Sequence, residues 1–77
     1  MNGMRQCGVT GSVAINDDGE RADLALLRSR TGAYVWFEVE TQADCHVSAR
    51  SRADAIAAAR AAWRDWDLHL TVDELED

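Results

Sequence analysis

The 77-residue sequence has no lysine and no proline, two cysteines and five glycines. All eight basic residues are arginine, against 14 acids, so the net charge is −6. A protein that coats nucleic-acid phosphates is normally basic overall, and this balance argues against direct nucleic-acid binding. No apolar run approaches the roughly 18 residues of a membrane span, which argues against a membrane partner. Two cysteines permit at most one internal bridge, too few for a disulfide framework. Met1 to Cys7 is polar, contains Arg5 and lacks an apolar stretch, so no secretory signal is read there. The expectation is a reducing cytoplasm, in a bacterial host cell, with Cys7 and Cys45 as thiols.

What is present suffices for one small domain. At 47% hydrophobic residues the chain is too apolar to be disordered as a whole. A domain of this length buries only about 60–65% of the surface its unfolded chain exposes. Association with another chain, including a second copy, is therefore an attractive source of further burial.

The pattern along the chain predicts an α+β fold. Residues 1–8 read as a flexible lead, 9–72 as a single domain and 73–77 as an acidic tail. Val9, Gly11, Val13 and Ile15 alternate with Thr10, Ser12 and Ala14 as in a strand, and Asn16-Asp17-Asp18-Gly19 is a strong turn. Residues 20–30 admit two readings. Asp17 and Glu20 suit a helix start, but Ala22, Leu24 and Leu26 share one face of a strand, and the hairpin is favoured. After Thr31-Gly32, the run Ala33 to Glu40 is the best strand, rich in aromatic and β-branched residues. Its alternation puts Val35, Phe37 and Val39 on the core face, leaving Trp36, Glu38 and Glu40 outward. Cys45 to Arg50 reads as a short edge strand.

Ser51-Arg52-Ala53-Asp54 opens the clearest helix, with Ser51 as N-cap and Asp54 in the acidic first turn. Ile56, Ala59, Trp63 and Trp66 form its apolar stripe. Seven alanines between 53 and 62 leave so little bulk that the helix can lie close on a sheet. Leu68, Leu70 and Val72 then alternate as a last strand. The predicted order is β-β-β-β-α-β, an antiparallel sheet of four to five strands with one long helix on one face. A helix over 18–31 would instead give β-α-β-β-α-β, a ferredoxin-like arrangement.

No motif carries an identifiable chemistry. Cys45 and His46 are adjacent, unlike the paired spacing of a structural zinc site, so neither metal nor cofactor is expected. A Cys–His nucleophile pair needs a cleft that 77 residues hardly provide, and no catalytic residue is assigned. Arg28, Arg30, Arg50, Arg52, Arg60 and Arg64 interleave in sequence with Glu38, Glu40, Asp54 and Asp65, so their fields are expected to cancel. The acids say more. Residues 1–64 hold eight acids and eight arginines, and residues 65–77 hold six acids and no base. Such an end suits a groove lined by Lys and Arg, and equally serves as a solubilising tail. The candidate partner-binding residues are Trp36, Glu38, Glu40, Asp65, Asp67, Asp73 and Glu74, with Trp36 as an exposed anchor.

Two families share parts of this pattern. Gly32-Ala33-Tyr34, a strand pair, then Ser51-Arg52-Ala53-Asp54-Ala55-Ile56 and an alanine-rich helix to Trp63 resemble small phage-encoded anti-CRISPR proteins. That resemblance covers residues 32–66 and rests on element order. It implies a small non-enzymatic inhibitor whose partner is a Cas effector, a ribonucleoprotein complex with a basic surface. Ser51 to Ala59 is also similar to the acidic-Ala helix start of HicB-type antitoxins. The segment Gln42 to Val47 lacks that family's Pro-Gly-Cys character, and no DNA-binding tail follows.

Overall fold

The structure, a computed structural model, describes residues 5–73. Five strands and one helix follow one another as β1 (Arg5–Ala14), β2 (Arg21–Arg28), β3 (Tyr34–Glu38), β4 (Ala43–Ala49), α1 (Arg52–Ala62) and β5 (His69–Val72). They form one antiparallel sheet in the order β4-β3-β2-β1-β5. This is the predicted β-β-β-β-α-β fold, and residues 21–28 are strand rather than helix. β2 pairs with both neighbours, which satisfies its backbone on each side, and Leu24 and Leu26 are buried. No helix among the described residues is long and apolar enough to cross a membrane.

Two bulges shape the sheet. In β1 the register slips between Gln6 and Thr10, where Gly8 takes a positive φ of 75°. In β4 it slips between the partners of Val35 and Phe37, where His46 has a φ of 59°. The first bulge lets β1 run on to Arg5, so residues 5–8 belong to the sheet rather than to a flexible lead. Cys7 is buried in the core. Of the expected acidic tail, Asp73 donates its N–H to Gly8 O at 2.7 Å, and residues 74–77, including Glu74, lie outside the described residues.

Ser51 caps α1 as anticipated: its backbone is extended and its Oγ accepts from Asp54 N at 3.1 Å. The helix rests mainly over β3 and β4 and turns Ala55 and Ala59 onto the sheet, both fully buried. Ile56 and Trp63 pack at the margin of this core. Helical hydrogen bonding ends with Trp63 N donating to Ala59 O. Trp66 therefore falls in the following turn and is 47% exposed, not part of a helical stripe.

The larger correction concerns β3. Trp36 is 0% exposed and Tyr34 is buried, whereas Val39 is 49% exposed and lies beyond the strand. The core face is thus the Tyr34–Trp36 face, the reverse of the expected one. Alternation alone could not decide, because both faces of this run are apolar. The alanine-faced helix decides it: alanines at 55 and 59 leave a space that an indole fills. Trp36 meets Leu26 across the sheet and Trp63 edge-on, with ring centroids 5.9 Å apart and planes at 86°. Its Nε1 donates to Ala55 O at 2.9 Å, which satisfies the one polar atom the burial would strand. Val35 and Phe37 sit on the opposite, uncovered face, paired with Leu27 and Ala25 of β2.

Candidate functional site

Strand register decides where the charges lie. The row Arg5–Arg28–Tyr34–Ala49 crosses four strands and marks one end of the sheet. At the other end β1 closes on β2 through Ala14 and Arg21, and the connections 15–20, 39–42 and 63–68 converge there. Ala14 N donates to Trp66 O at 2.7 Å and Val39 N to Asp23 O at 2.8 Å, tying these connections to the sheet.

The second end is acidic. Asp17, Asp18, Glu20, Glu40, Asp65 and Asp67 are all exposed there. Arg21 organises part of it: its guanidinium donates to Ser12 Oγ and Ser12 O, each at 3.0 Å, and to the Asp67 carboxylate at 3.0 Å. Asp67, held at a φ of 51°, also lies 3.4 Å from His69 Nε2. The hydrogen bond from Arg21, then the charge of His69, holds its carboxyl below the ordinary aspartate value. Asp67 thus stays ionised to lower pH than a free aspartate.

The sequence-based candidates divide between the two ends. Glu40, Asp65 and Asp67 gather at the acidic end. Glu38 is half-buried beside them, and its carboxylate accepts from Thr41 Oγ1 rather than pairing with Glu40 on one strand face. Asp73 lies at the opposite end, where its carbonyl accepts from Arg52. Trp36 is withdrawn as an anchor because it is fully buried. Asp17, Asp18 and Glu20 join the site unannounced. In the sequence Asp17 and Asp18 read as turn chemistry and Glu20 as part of a possible helix start, and only the hairpin carries them to the same end as residues 65–67.

Most of the arginines lie away from these acids, although Arg21 pairs with Asp67 and Arg64 shares the 63–68 connection with Asp65. Arg5, Arg28 and Arg30 surround an open cleft of about 570 Å³ at the first end, completed by Ser29, Thr31 and Gly32. Arg50 and Arg52 follow β4 at that same end, and Arg52 is committed to Cys7 O at 3.0 Å and to Asp73 O. Strand pairing separates Glu38 and Glu40 from Arg28 and Arg30, so the expected cancellation does not reach that pair of ends, whereas Arg64 stays beside Asp65.

Cys45 stands in surroundings hostile to a thiolate. Burial first, then the charges of Asp44 and Glu38, pushes its thiol above the ordinary value. No group of three or more potential metal ligands is gathered among the described residues. Comparison of the chain with protein-family models, curated proteins and solved structures found no match.

Proposed function

We propose that the protein is a non-enzymatic binding module whose acidic end docks on a basic surface of a larger protein or ribonucleoprotein complex. The observation that supports this reading is the convergence of six exposed carboxylates from three separate connections at one end of the sheet. Such a focused field accelerates encounter with a Lys/Arg-lined surface and fixes orientation on it. The resemblance of residues 32–66 to anti-CRISPR proteins refines the proposal to an inhibitor that occupies the nucleic-acid groove of a Cas effector. An antitoxin of HicB type is the alternative, favoured by the strand that leads into the Ser51-capped helix.

Charge reversal tests the docking. Asp18→Lys, Glu40→Lys and Asp65→Lys change exposed side chains with no described hydrogen bond and leave the core untouched. Titrated against a nona-arginine peptide at low salt, the triple variant should bind at least about tenfold more weakly than the native chain. Equal binding by the two, or binding indifferent to salt, rejects the acidic-end reading. The refinement is read separately, by target-DNA mobility shift of a guide-loaded Cas surveillance complex. Inhibition by the native chain and its loss in the triple variant support it; undisturbed DNA binding rejects it.

A further inference from the structure

We propose that the cleft at the basic end binds a ligand carrying two or more phosphate groups, held by Arg5, Arg28 and Arg30. This site is independent of the acidic end and uses different residues.

The geometry begins with an unfavourable pairing. Arg5 and Arg28 are antiparallel partners on adjacent strands, and like charges directly opposite one another destabilise a sheet. The hairpin need not have placed them so. The pairs from Ala14–Arg21 to Thr10–Ala25 advance in step, and continuing them would set Cys7 opposite Arg28. The bulge at Gly8 shifts the register and brings Arg5 there instead. Arg30 adds a third guanidinium from the turn that follows. Among the described residues neither ion pair involves these three arginines, and no carboxylate lines the cleft. Three cations gathered with no acid of the described residues between them favour an anion there.

The setting is also ordered. The Arg28 guanidinium carbon lies 5.7 Å from the centroid of the Tyr34 ring, which limits the directions its planar fork can take. The turn is closed by Ser29 N to Ala33 O at 2.7 Å and Gly32 N to Ser29 O at 3.0 Å. Ser29 and Thr31 hydroxyls share a bond of 2.9 Å, so one of them has a proton left for a ligand. Gly32, at a φ of 91°, has nothing within 4 Å of where a Cβ would stand, which leaves that side of the turn open.

Chemistry and size select the ligand. Guanidinium forks match phosphate oxygens bidentately, and a volume of about 570 Å³ exceeds what a single phosphate fills. Tyr34 is buried beneath Arg28 and offers no face for a base to stack on, so recognition is of phosphates rather than bases. The phosphates come either from a free polyphosphate such as a nucleotide or from the backbone of a nucleic-acid strand.

Calorimetry with inorganic tripolyphosphate and with a twelve-residue oligothymidylate, both in 50 mM NaCl, separates these sources. Binding of the first alone assigns a free polyphosphate; binding of the oligonucleotide alone assigns a strand. In either case Arg28→Gln with Arg30→Gln should weaken binding at least about tenfold. Arg60→Gln with Arg64→Gln, on the helix and the turn after it, removes the same charge and should change binding less than about twofold. Arg30→Gln alone, in an exposed turn, should cost about threefold and guards against misfolding of the double variant. Three charge neutralisations on a single strand give a salt slope near −2, so raising NaCl from 50 to 200 mM should weaken the oligonucleotide about twentyfold. Failure of both probes to bind, or equal losses in the two double variants, overturns the proposal.

Discussion

Replacing Trp36 with alanine should remove a large part of the stability of this domain. The side chain is fully buried between β2 and α1, and truncating such a tryptophan costs about 3–5 kcal/mol through lost transfer energy and the cavity left behind. A chain of 77 residues has in total only about 4–12 kcal/mol to lose. The alanine-faced helix cannot refill the space, because Ala55 and Ala59 have no side chain to move into it. Trp36→Phe should cost less, about 1–3 kcal/mol, by removing the donor to Ala55 O while keeping much of the volume. Phe37→Ala, on the uncovered face, should cost less than half of what Trp36→Ala costs. Urea unfolding followed by circular dichroism gives the ranking. If Phe37→Ala proves the more damaging of the two alanine variants, the core lies on the other face and this account of β3 is wrong.

That pair of residues also shows where sequence reasoning reaches and where it stops. Turn chemistry at Asn16–Gly19 and at Thr31-Gly32, period-two alternation over residues 22–26 and the Ser51 cap are local signals, and each corresponds to a described element. The helical alternative for residues 20–30 could not satisfy two neighbouring strands, and β2 does. The inward face of β3 is not a local property. Tyr34–Trp36 and Val35–Phe37 are both apolar pairs, and the choice depends on what the helix brings over the sheet. A glycine with positive φ is likewise visible as a residue but not as a bulge, so the true start of β1 and the position of Arg5 could not be read.

The charge pattern was legible in one dimension only. Counting along the chain separates a neutral stretch, 1–64, from an acidic end, 65–77. In the sheet, acids of the neutral stretch at 17, 18, 20 and 40 join Asp65 and Asp67, while Arg5, Arg28, Arg30, Arg50 and Arg52 collect at the opposite end. A formally neutral segment is thus partly polarised once hairpins fold it back on itself, although Arg21 and Arg64 stay with the acids. Both candidate sites arise from register, which a charge count does not contain. Arg5 and Arg28 are 23 positions apart in sequence and face one another in space.

Gly11→Val should detach β5 from the sheet. Gly11 lies between Leu24 of β2 and Leu70 of β5, and its φ is not the constraint. Space is. A Cβ there would stand 2.9 Å from Leu70 Cδ2 and 3.0 Å from His69 O. The leucine can rotate away, but the carbonyl belongs to the backbone of a four-residue edge strand and moves only with it. Alanine should therefore be tolerated at a modest cost, and valine, with two further carbons in the same place, should cost about 1–3 kcal/mol. The loss is local: amides of β5 should lose protection from hydrogen exchange while those between β2 and β3 keep theirs. Full protection of Thr71 and Asp73, whose N–H groups face β1, in a valine variant as stable as the native chain would show that the close approach is not real. Function should follow the strand. Asp65 and Asp67 are held at the acidic end by the docking of β5 on β1 and by the bonds from Ala14 to Trp66 O and from Arg21 to Asp67. A chain whose β5 has come away should therefore bind the nona-arginine peptide more weakly, although not one carboxylate has been changed.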